Sequence, residues 1–147
     1  MTEQLNVQQM ADRLCAAEDI LILCHKNPDG DTVGCASALC YALEALDKNA
    51  AVLCSDPIPH RYGCTAARMF KGDFEPRTVV AVDVASIQLF GENNGMPRYT
   101  RHVDLCIDHH AGNTGYADFT LLDGHAAAAA ELLYDVILAM GVELTRQ

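Results

Sequence analysis

At 147 residues, half of them hydrophobic, the chain is long enough to bury the core of one ordinary domain and too apolar to stay disordered. Its 20 acidic against 10 basic residues give a formal net charge of −10, which excludes a nucleic-acid binder working through a basic surface; a phosphate-rich ligand would need a cation between itself and the protein. No stretch approaches the roughly 20 apolar residues that span a bilayer, and "MTEQLNVQQMADR" lacks the basic-then-apolar pattern of a secretion signal, so a cytoplasmic protein with no membrane partner is expected.

Val7, Met10, Leu14 and Ala17 recur three or four apart and predict an amphipathic first helix. The apolar run Ile20 to Cys24 has the length of a buried strand and leads into "HKNPDGD", residues 25–31. There Pro28 and Gly30 take the second and fourth positions of a type I turn over Asn27–Gly30, which would fold His25, Asp29 and Asp31 toward one point. Gly34 is expected to allow close backbone approach at the start of the next helix, whose N-terminus would favour a phosphate. That helix, residues 32–46, is apolar almost all round, as suits packing against a sheet.

Residues 50–54, 78–82 and 104–107 repeat the short buried-strand pattern. Pro57 to Lys71 has room for one helix, and Gly91 to Tyr99 reads as a loop. The run "AAAAAELLYDVILAM" (126–140) is strongly helical and ends at Gly141, a suitable C′ residue. Continuous apolar strands separated by helices indicate a three-layer α/β domain, a mostly parallel sheet with helices on both faces. The seven cysteines are odd in number and form no C-x-x-C pair, and several lie in apolar runs, so buried reduced thiols are expected rather than a structural zinc site.

In open parallel sheets ligands bind beyond the carboxyl ends of the strands. Three strand ends here carry groups suited to a hard cation: His25, Asp29 and Asp31; then Asp83; then Asp108, His109 and His110. Each has a bland alternative. Asp29-Gly30 alone is a common surface turn, Asp83 could cap a helix, and either adjacent histidine could be a hydrogen-bonded structural residue. Those explanations would have to hold independently at three strand ends, which favours a site. Carboxylates with imidazoles and no thiolate suit manganese or magnesium.

"HKNPDGD", "VDVAS" and "DHH" occur in the order found in the DHH phosphoesterase family. The extended "HxNPDGDxxG" and "IDHHxxNxxYAD" look most like its branch of oligoribonucleases (nano-RNases) and 3′-phosphoadenosine-5′-phosphate phosphatases, over about Asp19 to Met140. The resemblance implies a Rossmann-like DHH domain holding two manganese ions, magnesium being possible, that hydrolyse a phosphoester by a two-metal mechanism. Carried over by position, His25 and Asp29 would hold one ion, Asp31 and His109 the other, and Asp83 would bridge them. His110 would contact the substrate phosphate and help the leaving group, with Asp108 orienting the histidines.

The same resemblance implies a fourth motif, after the helix ending at Met140, that supplies another aspartate, and then a C-terminal domain that holds substrate. "VELTRQ" offers only Glu143, while Thr145 resembles the cap of a further helix. Residues 1–147 are therefore expected to be a DHH catalytic domain that stops short of both, impaired on its own, acting in cis with a missing C-terminal domain and open to oligomer formation. The expected substrates are short oligonucleotides or nucleotide phosphates. Pyrophosphate or cyclic-dinucleotide hydrolysis, and a non-catalytic metal- or partner-binding module, remain as alternatives.

Overall fold

The computed structural model describes residues 1–65 and 67–145. It contains a six-stranded sheet built from β1 (Glu3–Gln4), β2 (Ile20–Leu23), β3 (Ala50–Leu53), β4 (Thr78–Val82), β5 (Leu105–Asp108) and β6 (Phe119–Leu122). The strand order is β1-β6-β5-β4-β2-β3, and every pairing is parallel. The helices are α1 (Val7–Ala16), α2 (Gly30–Ala45), the short α3 (Met96–Tyr99) and α4 (Ala129–Ala139), with 3₁₀ turns at His60–Thr65 and Ile87–Leu89.

Side-chain alternation along the strands divides the core into two layers. Ile20 and Ile22 of β2, and Cys24 just after it, face the layer that α1, α2 and α4 fill, whereas Leu21 and Leu23 face Phe90, Met96, Val103 and Tyr99 on the other side. The fold is therefore an α/β sandwich with helices on both faces, long on one and short on the other. α1 starts at a capping box in which the Asn6 and Gln9 side chains each accept the other's backbone N–H, both at 2.9 Å. α4 ends as foreseen, with Gly141 in the left-handed region at φ 77°.

Topology decides where the site lies. From β2 the chain first goes outward to β3 and then returns to the opposite side of β2 as β4, which opens a crevice between β2 and β4 at their carboxyl ends. Leu23 is in register with Ala81, and Val82 with Ile107, so the residues that follow β2, β4 and β5 emerge side by side.

Several local expectations are corrected. Asp29 is extended (φ −102°, ψ −174°) and caps α2, so Asn27–Gly30 is not a type I turn, which needs about −90°, 0° at that position. A Cβ at Gly34 would meet nothing within 4 Å, so no close approach requires glycine there. Among its described residues the 57–71 segment holds no helix but the 3₁₀ turn, because Pro57, Pro59 and Gly63 interrupt a longer one. It then runs beside β3, with Val52 N–H donating to Arg68 O and Phe70 N–H to Val52 O, both at 2.8 Å.

α3 forms inside the 91–99 loop, and α4 begins three residues later than its alanine run. β1 and β6 were not foreseen. Cys24, Cys35, Cys40, Cys54 and Cys106 are buried thiols, whereas Cys15 is exposed; the side chain of Cys64, and the helix expected to start at Thr145 and run into residues 146–147, lie outside the described residues. No helix among the described residues is long and apolar enough to cross a membrane.

Candidate metal centre

The three strand ends meet in a cleft of about 480 Å³. β4 lies between β5 and β2, so Asp83 stands between the histidine after β2 and the pair after β5. His25 Nε2 is 3.7 Å from Asp83 Oδ2 and 3.6 Å from Asp29 Oδ1. His109 Nε2 is 3.4 Å from Asp83 Oδ1 and 3.8 Å from Asp31 Oδ2. Two trios that could hold a cation result, His25–Asp29–Asp83 and Asp83–His109–His110, and Asp83 belongs to both. All seven residues named from the sequence therefore lie in or directly behind one cleft.

Backbone contacts fix the histidine tautomers. His25 Nδ1 lies 2.6 Å from Lys26 O, and His109 Nδ1 lies 3.1 Å from Ala126 O. Each Nδ1 therefore carries the hydrogen in the neutral ring, leaving the Nε2 lone pair turned toward Asp83. Asp83 itself is 3% exposed, has a left-handed backbone (φ 60°), and its Oδ1 has no hydrogen-bond partner among the described residues. A buried carboxylate that lies between two available imidazole nitrogens and has one oxygen unsatisfied is costly for the bare protein and suited to a divalent cation. The donor set fits the metal implied by the sequence resemblance.

Electrostatics follow the geometry. Burial pushes the Asp83 carboxyl upward, against the opposing pull of His25. Asp83 in turn raises His25 to about 9, despite desolvation. His110 is raised chiefly by Asp108, whose Oδ1 is 2.7 Å from its Nδ1. Asp108 is fully buried and stays satisfied by accepting the His109 N–H at 2.9 Å and an Asn113 Nδ2–H at 2.7 Å.

The helix ends are already taken. Asp29 accepts the N–H groups of Asp31 and Thr32 at the start of α2, so the phosphate position expected there is filled by the protein's own carboxylate. Asp31 accepts those of Ala129 and Ala130 at the start of α4, at 2.8 and 3.1 Å. Sequence reasoning assigned no role to Asn113, although it stands in the quoted motif, and missed Leu89, Ala127 and Ala128 in the cleft wall.

The sequence pattern of the DHH family's N-terminal domain matches residues 19–147. The chain belongs to the DHH family. This DHH domain is 31% identical over 146 residues to a Thermus thermophilus protein named a bifunctional oligoribonuclease and PAP phosphatase, covering 94% of the chain and 42% of that protein. Its fold is similar to the crystal structure of an exopolyphosphatase-related protein from Bacteroides fragilis, with a TM-score of 0.74, 20% identity, and coverage of 91% of this chain and 44% of that one. The DHH domain thus spans less than half the length of both. Within this family match, the two trios are groups able to hold a metal ion.

Proposed function

We propose that the DHH domain is the metal-holding half of a cytoplasmic phosphoesterase that hydrolyses short oligonucleotides, 3′-phosphoadenosine-5′-phosphate, or both. The observation that carries this reading is Asp83: one buried carboxylate shared by two histidine-containing trios, with an oxygen left unpartnered. The substrate class is taken from the Thermus relative's name. In this reading His25 and Asp29 would hold one manganese ion and Asp31 and His109 a second, Asp83 would serve both, and magnesium would be the substitute. Such a metal pair supplies Lewis acidity and charge neutralisation for attack on a phosphoester.

The chain's own residues do the rest. His25 and His109 are each held in one ring orientation by Lys26 O and Ala126 O, so no ring flip is needed when they ligate. Asp108, itself held by Asn113, fixes the His110 ring through Nδ1, and the raised affinity of that ring for a proton keeps Nε2 protonated, so that it has a proton to offer a leaving oxygen. Since the chain spans under half the length of the relatives it matches, further metal and substrate contacts would come from a C-terminal domain acting in cis.

Calorimetric titration with manganese tests the reading. The wild-type chain should take up the ion and Asp83→Asn should lose at least about tenfold in affinity, within the range seen when supporting groups of metal sites are removed. Unchanged binding in Asp83→Asn would remove the metal centre from the account. Assays of a version extended beyond residue 147 on 3′-phosphoadenosine-5′-phosphate, a dinucleotide and pyrophosphate then separate nucleotide from inorganic substrates.

A further inference from the structure

We propose that Leu89 is a specificity-determining contact of this centre, an apolar wall against which the nucleoside part of a phosphate ester lies while its phosphate faces the metal ligands. The proposal rests on the phosphoesterase reading. Apart from the metal-centre side chains, the cleft is lined by Leu89, Ala127 and Ala128. The two alanines are short, so Leu89 is the long apolar side chain of this wall. It is 37% exposed, and Ile87 on the same 3₁₀ turn is 46% exposed, so part of each apolar surface contributes nothing to the core.

The turn is anchored on both sides. Lys26 N–H donates to Leu89 O at 2.6 Å, which ties the turn to the residue next to His25. Phe90 is 1% exposed and packs edge-to-face on Tyr116, ring centres 5.6 Å apart. Gly91 follows at φ 80°, and a Cβ there would stand 2.2 Å from Ser55 Oγ; only glycine lets the chain close down at this point. Leu89 is thus presented at a fixed position relative to the metal ligands.

Substrate chemistry gives this placement a use. Pyrophosphate or polyphosphate is charged along its whole length and gains nothing from a leucine wall, because desolvating its oxygens there leaves them unpaired. A nucleotide carries a flat, largely apolar base and a sugar next to one phosphoryl group. At about 480 Å³ the cleft falls within the roughly 300–1,000 Å³ of small-ligand sites.

The test is a set of binding titrations at saturating manganese, with AMP and inorganic phosphate as probes, on wild type, Leu89→Ala and Ile87→Ala. Wild type should bind AMP more tightly than phosphate. Leu89→Ala should lose about five- to tenfold for AMP, the effect of withdrawing part of a leucine from contact, with phosphate and manganese affinities and the thermal midpoint unchanged. Ile87→Ala, outside the cleft lining, should leave AMP binding intact. AMP bound no more tightly than phosphate by the manganese-loaded wild type would overturn the leucine wall and leave the metal reading standing. So would an equal loss of both probes in Leu89→Ala, or the same AMP loss in Ile87→Ala. A wild-type chain that takes up no manganese would overturn the metal reading, and this proposal with it.

Discussion

Asp83 closes β4 with a left-handed backbone, a buried carboxylate and one oxygen that accepts nothing, and His25 answers that charge from across the crevice. The metal-free protein therefore holds a proton on His25 up to about pH 9, well above the ordinary imidazole value near 6.5. Because the folded-state value is raised, the pair's contribution to stability is fully present below about pH 6.5 and is lost as pH rises through about 9. A cation at Nε2 must displace that proton. Manganese affinity should therefore climb by up to about tenfold per pH unit for one displaced proton, levelling off above pH 9. Calorimetry at pH 6.5, 7.5 and 8.5 in buffers of different ionisation enthalpy measures both the slope and the proton released. A flat profile with no proton release would show that His25 is not a ligand.

At the level of elements, Asp31 joins two helices that are far apart in the chain. It lies in the first turn of α2, yet its two oxygens accept the first free N–H groups of α4, where Ala128 at the N-cap has no side chain to offer. Asp31→Ala should cost the metal-free protein about 1–2 kcal/mol in denaturant unfolding, the usual penalty for losing a cap, whereas Asp31→Asn, which keeps an acceptor oxygen, should cost less. Metal-free Asp31→Ala as stable as wild type would contradict the capping role. This contact also shows what the sequence could not reveal, since nothing in "HKNPDGD" points to an alanine run 98 residues downstream. Periodicity identified α1, α2, α4 and β2 to β5 because each has a long apolar face or a wholly apolar run. It missed β6, a four-residue strand in which polar Thr120 breaks the apolar run, even though Asp123-Gly124 directly after it is a turn signal, and β1, two exposed polar residues held by backbone pairing to β6. The Asn27–Gly30 turn was misread because a side-chain contact, Asp29 capping α2, overrode the local preference of Pro and Gly. Strand ends could be located from sequence, but their lateral order could not, and that order is what puts Asp83 in the middle.

For the whole molecule, the excess of carboxylates links the fold to the proposed chemistry. Three of the arginines are engaged at the surface with acidic partners, Arg68 with Asp73, Arg77 with Glu18 and Arg98 with Glu75, and over the whole chain the formal charge is −10. A field of that sign repels a phosphate ester at long range and draws divalent cations toward the cleft. The cation thus comes first in the order of binding, and the anion follows once the local sign is reversed. Two measurements separate this whole-molecule field from the ligands themselves. Raising monovalent salt from 50 to 500 mM should weaken manganese binding several-fold, because the Debye length shrinks from about 14 Å to about 4 Å and removes the distant carboxylates from play. Neutralising the exposed Asp12 of α1 and Asp135 of α4 as a pair, Asp12→Asn with Asp135→Asn, should weaken binding at 50 mM salt and leave it unchanged at 500 mM. If the double variant matched wild type at both salt concentrations while salt still weakened binding, the dependence would belong to the ligand carboxylates alone, and the wider acidic surface would have no part in loading the site.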